Sequence, residues 1–188
     1  MLDEADRELT AHWLRAGFTV RRRERDYLVS TDPGVTGLES ALPSGVTIVP
    51  MGEAREIPLR ELDRAIRDEV EASVGWHTMP AEILVRPDGD TVVYPSRYGV
   101  AVRSDRYVGL VRVSPLIRQP RIGLIAVLAA ERRHGIARAL LAEVLSTLHR
   151  NEIERASAEV DESNAAAIAL FEGIGARQAG TNLELWVD

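Results

Sequence analysis

The stretch Arg121 to Arg150, RIGLIAVLAAERRHGIARALLAEVLSTLHR, changes periodicity halfway along. Ile122 to Leu128 is a continuous apolar run, the pattern of a strand buried on both faces. From Gly135 onward, Ile136, Leu140, Val144 and Leu148 recur every four residues, with Ala137, Leu141 and Leu145 beside them. That spacing predicts one apolar face of an amphipathic helix. The junction, Arg132-Arg133-His134-Gly135-Ile136-Ala137-Arg138, is basic and holds a single glycine. The first turn of a helix carries N–H groups without intrahelical acceptors, and the helix dipole favours an anion there. Glycine for close backbone approach, with arginines around it, suits a phosphate or pyrophosphate. The same residues also suit an ordinary strand–loop–helix connection with solvated arginines.

The rest of the chain bounds the possibilities. Its 188 residues, 45% hydrophobic and 28% charged, suit one globular domain with an appendage. A net charge of -6 disfavours nucleic acid as a partner. Cysteine is absent, which excludes disulfides, thiolate metal sites and a cysteine nucleophile, and no metal is expected. All 23 basic residues are arginine, so any anion must be held by Arg side chains, backbone amides or helix ends. The longest apolar runs, about nine residues, are too short to span a bilayer. The N-terminus, MLDEADRELT, is acidic and does not read as a signal peptide, so no membrane association and a cytoplasmic location are expected.

Read in order, residues 3–16 predict a helix with Leu9, Trp13 and Ala16 on one face and Gly17 after it. Phe18 to Val29 predicts an arginine-rich strand. The turn-rich Thr31 to Gly45 predicts a linker, dividing a 1–45 arm from a 46–188 main domain. In the main domain, Val46 to Val49 predicts a strand and Pro58 to Val70 a helix. Gly75 to Pro80 breaks that helix, and residues 87–90 predict a turn. Tyr98 to Arg103 and Tyr107 to Val113 predict a hairpin closed by Ser104-Asp105. The strand and helix of the opening stretch follow. Ala156 to Val160 then predicts a strand, Ser163 to Ile174 a helix closed by Gly175, and Ala176 to Val187 a terminal strand or hairpin. The expected class is α/β (α+β), a mixed central sheet flanked by helices.

With its motifs in this order, the sequence resembles the GNAT family of acyl-CoA-dependent N-acyltransferases over Val46 to Asp188. The family's Arg/Gln-x-x-Gly-x-Gly/Ala loop stands here as Arg132-Arg133-His134-Gly135-Ile136-Ala137, after Val127 and before Leu140-Leu141. A second signature stands as Asn164, Phe171 and Gly175 within ESNAAAIALFEGIGA. The resemblance implies a GNAT acyl-CoA N-acyltransferase fold with acetyl-CoA as co-substrate. The backbone of Val127, Leu128 and Ala129 would pair with the pantetheine arm. The amides of Arg132, Arg133, His134, Gly135, Ile136 and Ala137 would hold the pyrophosphate, with Arg138 in the first turn of the helix. Asn164 and Phe171 would lie near the thioester, though Phe171 also suits a plain core position.

Direct attack by an amine on the thioester needs orientation, oxyanion stabilisation and a proton acceptor. The sequence departs from the family at both usual proton-handling positions. Arg121 stands where many members carry a strand carboxylate, and Phe171 where many carry a tyrosine. Glu159, in the Glu159-Asp161-Glu162 cluster, is the candidate base, with Tyr94, Tyr98 and His77 as further candidates. Trp76, His77 and Met79 are candidates for lining the acceptor side. The carboxylates would favour a cationic amine, whereas Arg121 would favour an acceptor bearing a carboxylate. The expected function is acetyl-CoA-dependent N-acetyl transfer to a small-molecule amine or a peptide. The alternatives are a degenerate acyl-CoA-binding regulatory module and a nucleotide or sugar-phosphate binder using the same loop. In the arm, Trp13 to Phe18 echoes Phe171 to Ala176, each placing an aromatic four residues before a helix-ending glycine. The arm is expected to dock on its own sheet or to exchange with a second copy, giving a homodimer.

Overall fold

The computed structural model describes residues 1–38, 42–73, 75, 93–114 and 119–187. The turn expected at 87–90 and the candidate residues Trp76, His77 and Met79 lie outside them. Eight strands form one sheet: β1 (Leu2–Asp3), β2 (Thr19–Ser30), β3 (Val46–Val49), β4 (Tyr98–Arg103), β5 (Arg106–Ser114), β6 (Arg121–Val127), β7 (Arg155–Asp161) and β8 (Arg177–Trp186). Their spatial order is β1-β8-β2-β7-β6-β5-β4-β3. Every neighbouring pair is antiparallel except β6 and β7. The helices among the described residues are α1 (Arg7–Arg15), α2 (Pro33–Thr36), α3 (Glu56–Ser73), α4 (Ile136–Arg150) and α5 (Ala165–Glu172). This is the mixed α/β class that the sequence predicts. None of these helices is long and apolar enough to cross a membrane.

The elements follow from local chemistry. The hairpin between β4 and β5 turns on Ser104 and Asp105, both at positive φ (49° and 61°), the geometry of a two-residue turn that matches strand twist. In α4, the four-residue spacing buries Ile136, Leu140, Val144 and Leu148 together with Leu141 and Leu145. Gly109 on β5 lets that helix approach the sheet: a Cβ there would meet Ile136 Cγ2 and Val127 Cγ2, each at 3.2 Å.

Two cores sandwich the sheet. On one face, α4 and α5 cover Tyr27 and Val29 of β2, Val111 and Val113 of β5, Ile122 and Val127 of β6, and Ala156, Ala158 and Val160 of β7. On the other, Leu59, Leu62, Ile66 and Val70 of α3 cover Tyr98, Val100, Leu110 and Leu124.

Two features differ from a simple reading of the sequence. The arm is divided across the sheet: β2 lies inside it between β7 and β8, and β1 is the outermost strand beside β8. The second feature is a seam. β6 and β7 share two register pairs, Arg121–Ser157 and Ile122–Ala158, and then stop pairing. The ladder with β5 skips Gly123, since Val113 pairs with Ile122 and Arg112 with Leu124. An extra residue of this kind bends a strand, and it falls immediately after the last pair with β7. From there β6 runs on to Val127, and β7 to Asp161, along diverging lines.

Candidate active site

Along the open side of the seam, β6 presents a strand edge. Leu128 donates its N–H to Val108 O at 3.0 Å, on the β5 side. Backbone groups alternate in direction along a strand, so Val127 C=O and Ala129 N–H point the other way, toward the seam. They form an acceptor and a donor spaced as in a β-ladder.

The chain then enters α4 through its basic loop. Gly135 is the N-cap, in the left-handed region (φ 78°), and no side chain caps the helix. By contrast, Asp6, Asp32 and Asn164 cap α1, α2 and α5 with their side chains. The first backbone bond of α4 runs from Ala139 N to Gly135 O. The amides of Arg133 to Arg138 therefore donate to no acceptor among the described residues.

The side chains of the loop are placed unequally. Arg133, also at positive φ (67°), is exposed and forms no ion pair among the described residues. Arg132 turns back, donating from Nε to Val127 O at 2.9 Å and from Nη2 to Glu69 Oε2 at 3.1 Å. Glu69 also receives Ala129 N–H on both oxygens, at 2.9 and 3.1 Å. His134 Nδ1 lies 3.2 Å from Glu131 O. Arg138 Nη1 donates to Gly173 O at 3.3 Å, which ties α4 to the end of α5. Asn164 uses its side-chain oxygen to accept Ala167 N–H at 3.0 Å. Phe171 is 2% exposed and stacks on Tyr27, with ring centroids 6.0 Å apart; the Tyr27 hydroxyl donates to Glu172 at 2.9 Å.

Where β6 and β7 part, carboxylates gather on the face opposite α4. Glu159 comes one residue after the last β6–β7 pair, and its Oε2 accepts from Arg121 Nη1 at 2.5 Å. Asp26 of β2 is its register partner, and Glu24 is that of Asp161. Tyr27 and Val29 face α4, so Glu24 and Asp26 share the face of Glu159. Glu24 is 2% exposed; its Oε1 meets Arg22 Nη2 at 2.8 Å, and its Oε2 has no hydrogen-bond partner. Burial pushes the Glu24 carboxyl above its ordinary range; Arg22 opposes this, while Glu159, Glu184 and Asp161 add to it. Burial likewise raises Asp26, helped by Glu159 and Asp3. Sequence reasoning missed Glu24 and Asp26. The available signal was the alternation Arg22, Glu24, Asp26, Leu28, which places them on one face of a strand.

The other candidate proton handlers lie apart. Tyr98 is 4% exposed in the core under α3, its hydroxyl raised by burial, with Asp63 adding to the effect. Tyr94 is 52% exposed, with Arg97 over its ring. Among the described residues, no group of three or more acidic or His side chains is arranged to hold a metal.

The comparisons with known proteins bear on this architecture. The model of the acetyltransferase (GNAT) family matches residues 62–176. A search of curated proteins finds no match. Among solved structures, a GCN5-related N-acetyltransferase from Sphaerobacter thermophilus superimposes with a TM-score of 0.65 at 20% identity, covering 97% of this chain and 56% of that one. A tandem GNAT protein from the clavulanic acid biosynthesis pathway gives 0.65 at 17% identity, covering 96% and 58%. A GCN5-related N-acetyltransferase from Kribbella flavida gives 0.61 at 15% identity, covering 94% and 62%. The chain thus spans less than two thirds of each of these proteins. At such identities the likeness carries the fold, and the family model carries the membership. The matched region runs from α3 to the end of α5 and takes in the seam, the uncapped start of α4 and the loop between them, so the chain belongs to the GNAT acetyltransferase family.

Proposed function

We propose that the protein transfers an acetyl group from acetyl-CoA to an amine of a cationic small molecule or peptide. The observation that carries this reading is the β6 edge at Val127 and Ala129, met by the Glu69 and Arg132 side chains and by no strand among the described residues, leading directly into the uncapped amides of α4. An amide-bearing pantetheine arm suits such an edge as an added strand. The free amides of Arg133 to Ala137 suit a pyrophosphate, and Arg132 and Arg133 can add charge-assisted bonds. These residues therefore fit the co-substrate, which when bound supplies an activated acyl group.

The protein's own part is to anchor and orient at a distance from the reacting carbon, and to take a proton. Glu159, at the mouth of the seam, is the proposed acceptor of the proton that the acceptor's ammonium must lose before its neutral nitrogen attacks the thioester carbon. Arg121 is already held by Glu159, whereas among the described residues Asp26 forms no ion pair and Glu24 keeps an unbonded oxygen. That balance favours a cationic acceptor over one bearing a carboxylate.

The test is thiol release from acetyl-CoA with a panel of mono- and polyamines and amine-bearing peptides, alongside calorimetry with acetyl-CoA. Turnover that prefers polyamines is the expected result. No heat at millimolar acetyl-CoA would overturn the reading. Binding without thiol release would favour the competing reading, an acyl-CoA-binding regulatory module, whose support is Phe171 buried where many members carry a tyrosine.

A further inference from the structure

Two side chains already lie on the strand edge that the proposed co-substrate would use. The Glu69 carboxylate accepts Ala129 N–H, and the Arg132 guanidinium donates to Val127 C=O. The two then bond to each other through Arg132 Nη2 and Glu69 Oε2. A carboxylate supplies what a partner strand's carbonyl would supply, and a guanidinium what its N–H would supply. The pair thus imitates one rung of a β-ladder with side-chain groups. Both side chains retain access to water, at 32% exposure for Glu69 and 54% for Arg132. An ion pair so exposed is weak and open to exchange.

We infer that Glu69 and Arg132 form a clasp on the edge of β6, and that Glu69 makes tight binding depend on a ligand carrying a pantetheine arm as well as phosphate. The inference rests on the proposed function and concerns how the same site selects its ligand. A pantetheine arm competes with Glu69 for Ala129 N–H and with Arg132 for Val127 C=O. A pyrophosphate next to the same arm offers Arg132 more negative charge than the single carboxylate it gives up. A ligand with both parts therefore opens the clasp from both ends. A nucleotide with phosphate alone has nothing to place on Ala129 and meets Glu69 as a like charge beside the loop. Glu69 belongs to α3, whose Leu59, Leu62, Ile66 and Val70 fix the helix against the sheet, so the carboxylate is held at the edge by a packed element.

The test uses the full chain and its Glu69→Ala variant, a change at a helical position where alanine is well tolerated. Calorimetry with CoA and with ADP gives the two affinities. The clasp predicts ADP affinity roughly three- to tenfold higher in the variant, with a smaller gain for CoA, so that the preference for CoA over ADP narrows. Amide hydrogen exchange gives an independent reading. Ala129 should exchange faster in the variant, and CoA should slow it in both proteins. Equal gains for CoA and ADP would reduce Glu69 to a general charge effect and overturn the inference. A gain for CoA larger than that for ADP, unchanged or weaker ADP binding, or unchanged exchange at Ala129, would overturn it as well. If neither protein binds CoA, the proposed function falls and the ligand selection with it, while the exchange rate at Ala129 still reports whether Glu69 holds that amide.

Discussion

The two edges of β7 are built from the same seven residues, RASAEVD, and behave differently. Toward β2 the ladder has seven register pairs, from Glu24–Asp161 to Ser30–Arg155. Toward β6 it has two. The cause lies in the neighbours. β2 is a twelve-residue strand that runs the whole length of β7, whereas β6 carries its extra residue, Gly123, just after the second pair. A sheet can therefore open a gap in its middle without losing a strand, provided the strand on the far side is fully paired. The backbone groups exposed by the gap still need partners, and on β6 the side chains of Glu69 and Arg132 meet that need.

Opening the closed edge should have the largest effect. Deleting residues 1–30 removes β2, strips the partner from β7 and β8, and uncovers Phe171, which stacks on Tyr27. The expected result is loss of the cooperative thermal transition by circular dichroism, with aggregation on size exclusion. A soluble variant with a sharp transition would show that β7 needs neither edge. Next comes Glu159→Gln on the open edge, which should lower kcat by roughly 10²- to 10⁴-fold. CoA affinity and thermal stability should stay close to those of the parent, and a kcat within threefold would remove Glu159 from the proton-transfer role. A third substitution, Ala129→Pro, deletes the seam-facing N–H. It should weaken CoA binding by up to about tenfold with only a small fall in melting temperature, because that amide supports no ladder and its partner is the partly exposed Glu69 carboxylate. Unaltered affinity would mean that pantetheine does not pair there.

The smallest effect tests the charge behind the seam. Burial raises Asp26, so between its ordinary range and its raised value the folded chain binds more protons than the unfolded chain. Asp26 therefore lowers stability as pH rises through that window, and the deficit persists at neutral pH. Asp26→Asn should raise the melting temperature at pH 7. The difference should shrink as pH falls through the window and vanish below the ordinary aspartate range. A variant less stable than its parent at pH 7 would mean that Asp26 is held by a favourable contact.

Much of this was legible in the sequence where neighbours in the chain are also neighbours in space. The switch of period between Leu128 and Ile136 marked β6 and α4, and Ser104-Asp105 marked the hairpin. The single glycine among arginines marked the uncapped helix start, because only the backbone of residues 132–138 is involved. The position of β2 was not legible. Its arginine-rich face reads as solvent-exposed, yet Arg22 and Glu24 are buried against each other because strands from the far end of the chain flank them. Glu69 was equally hidden. On a helix its charge reads as ordinary surface, and only the fold brings it to Ala129 and Arg132, some sixty residues away.

The central place of β2 has a consequence for how the polypeptide is made. Its partners, from Arg155 to Trp186, leave the ribosome long after it does, at ordinary translation speeds on the order of ten seconds later. For that interval a strand with an apolar YLV ending waits without a mate. The charges of RRRERD just ahead of that ending are the kind of gatekeepers that keep a waiting strand from sticking to its neighbours, and in the finished sheet Arg21, Arg22, Arg23, Glu24 and Arg25 of the same run are held in ion pairs.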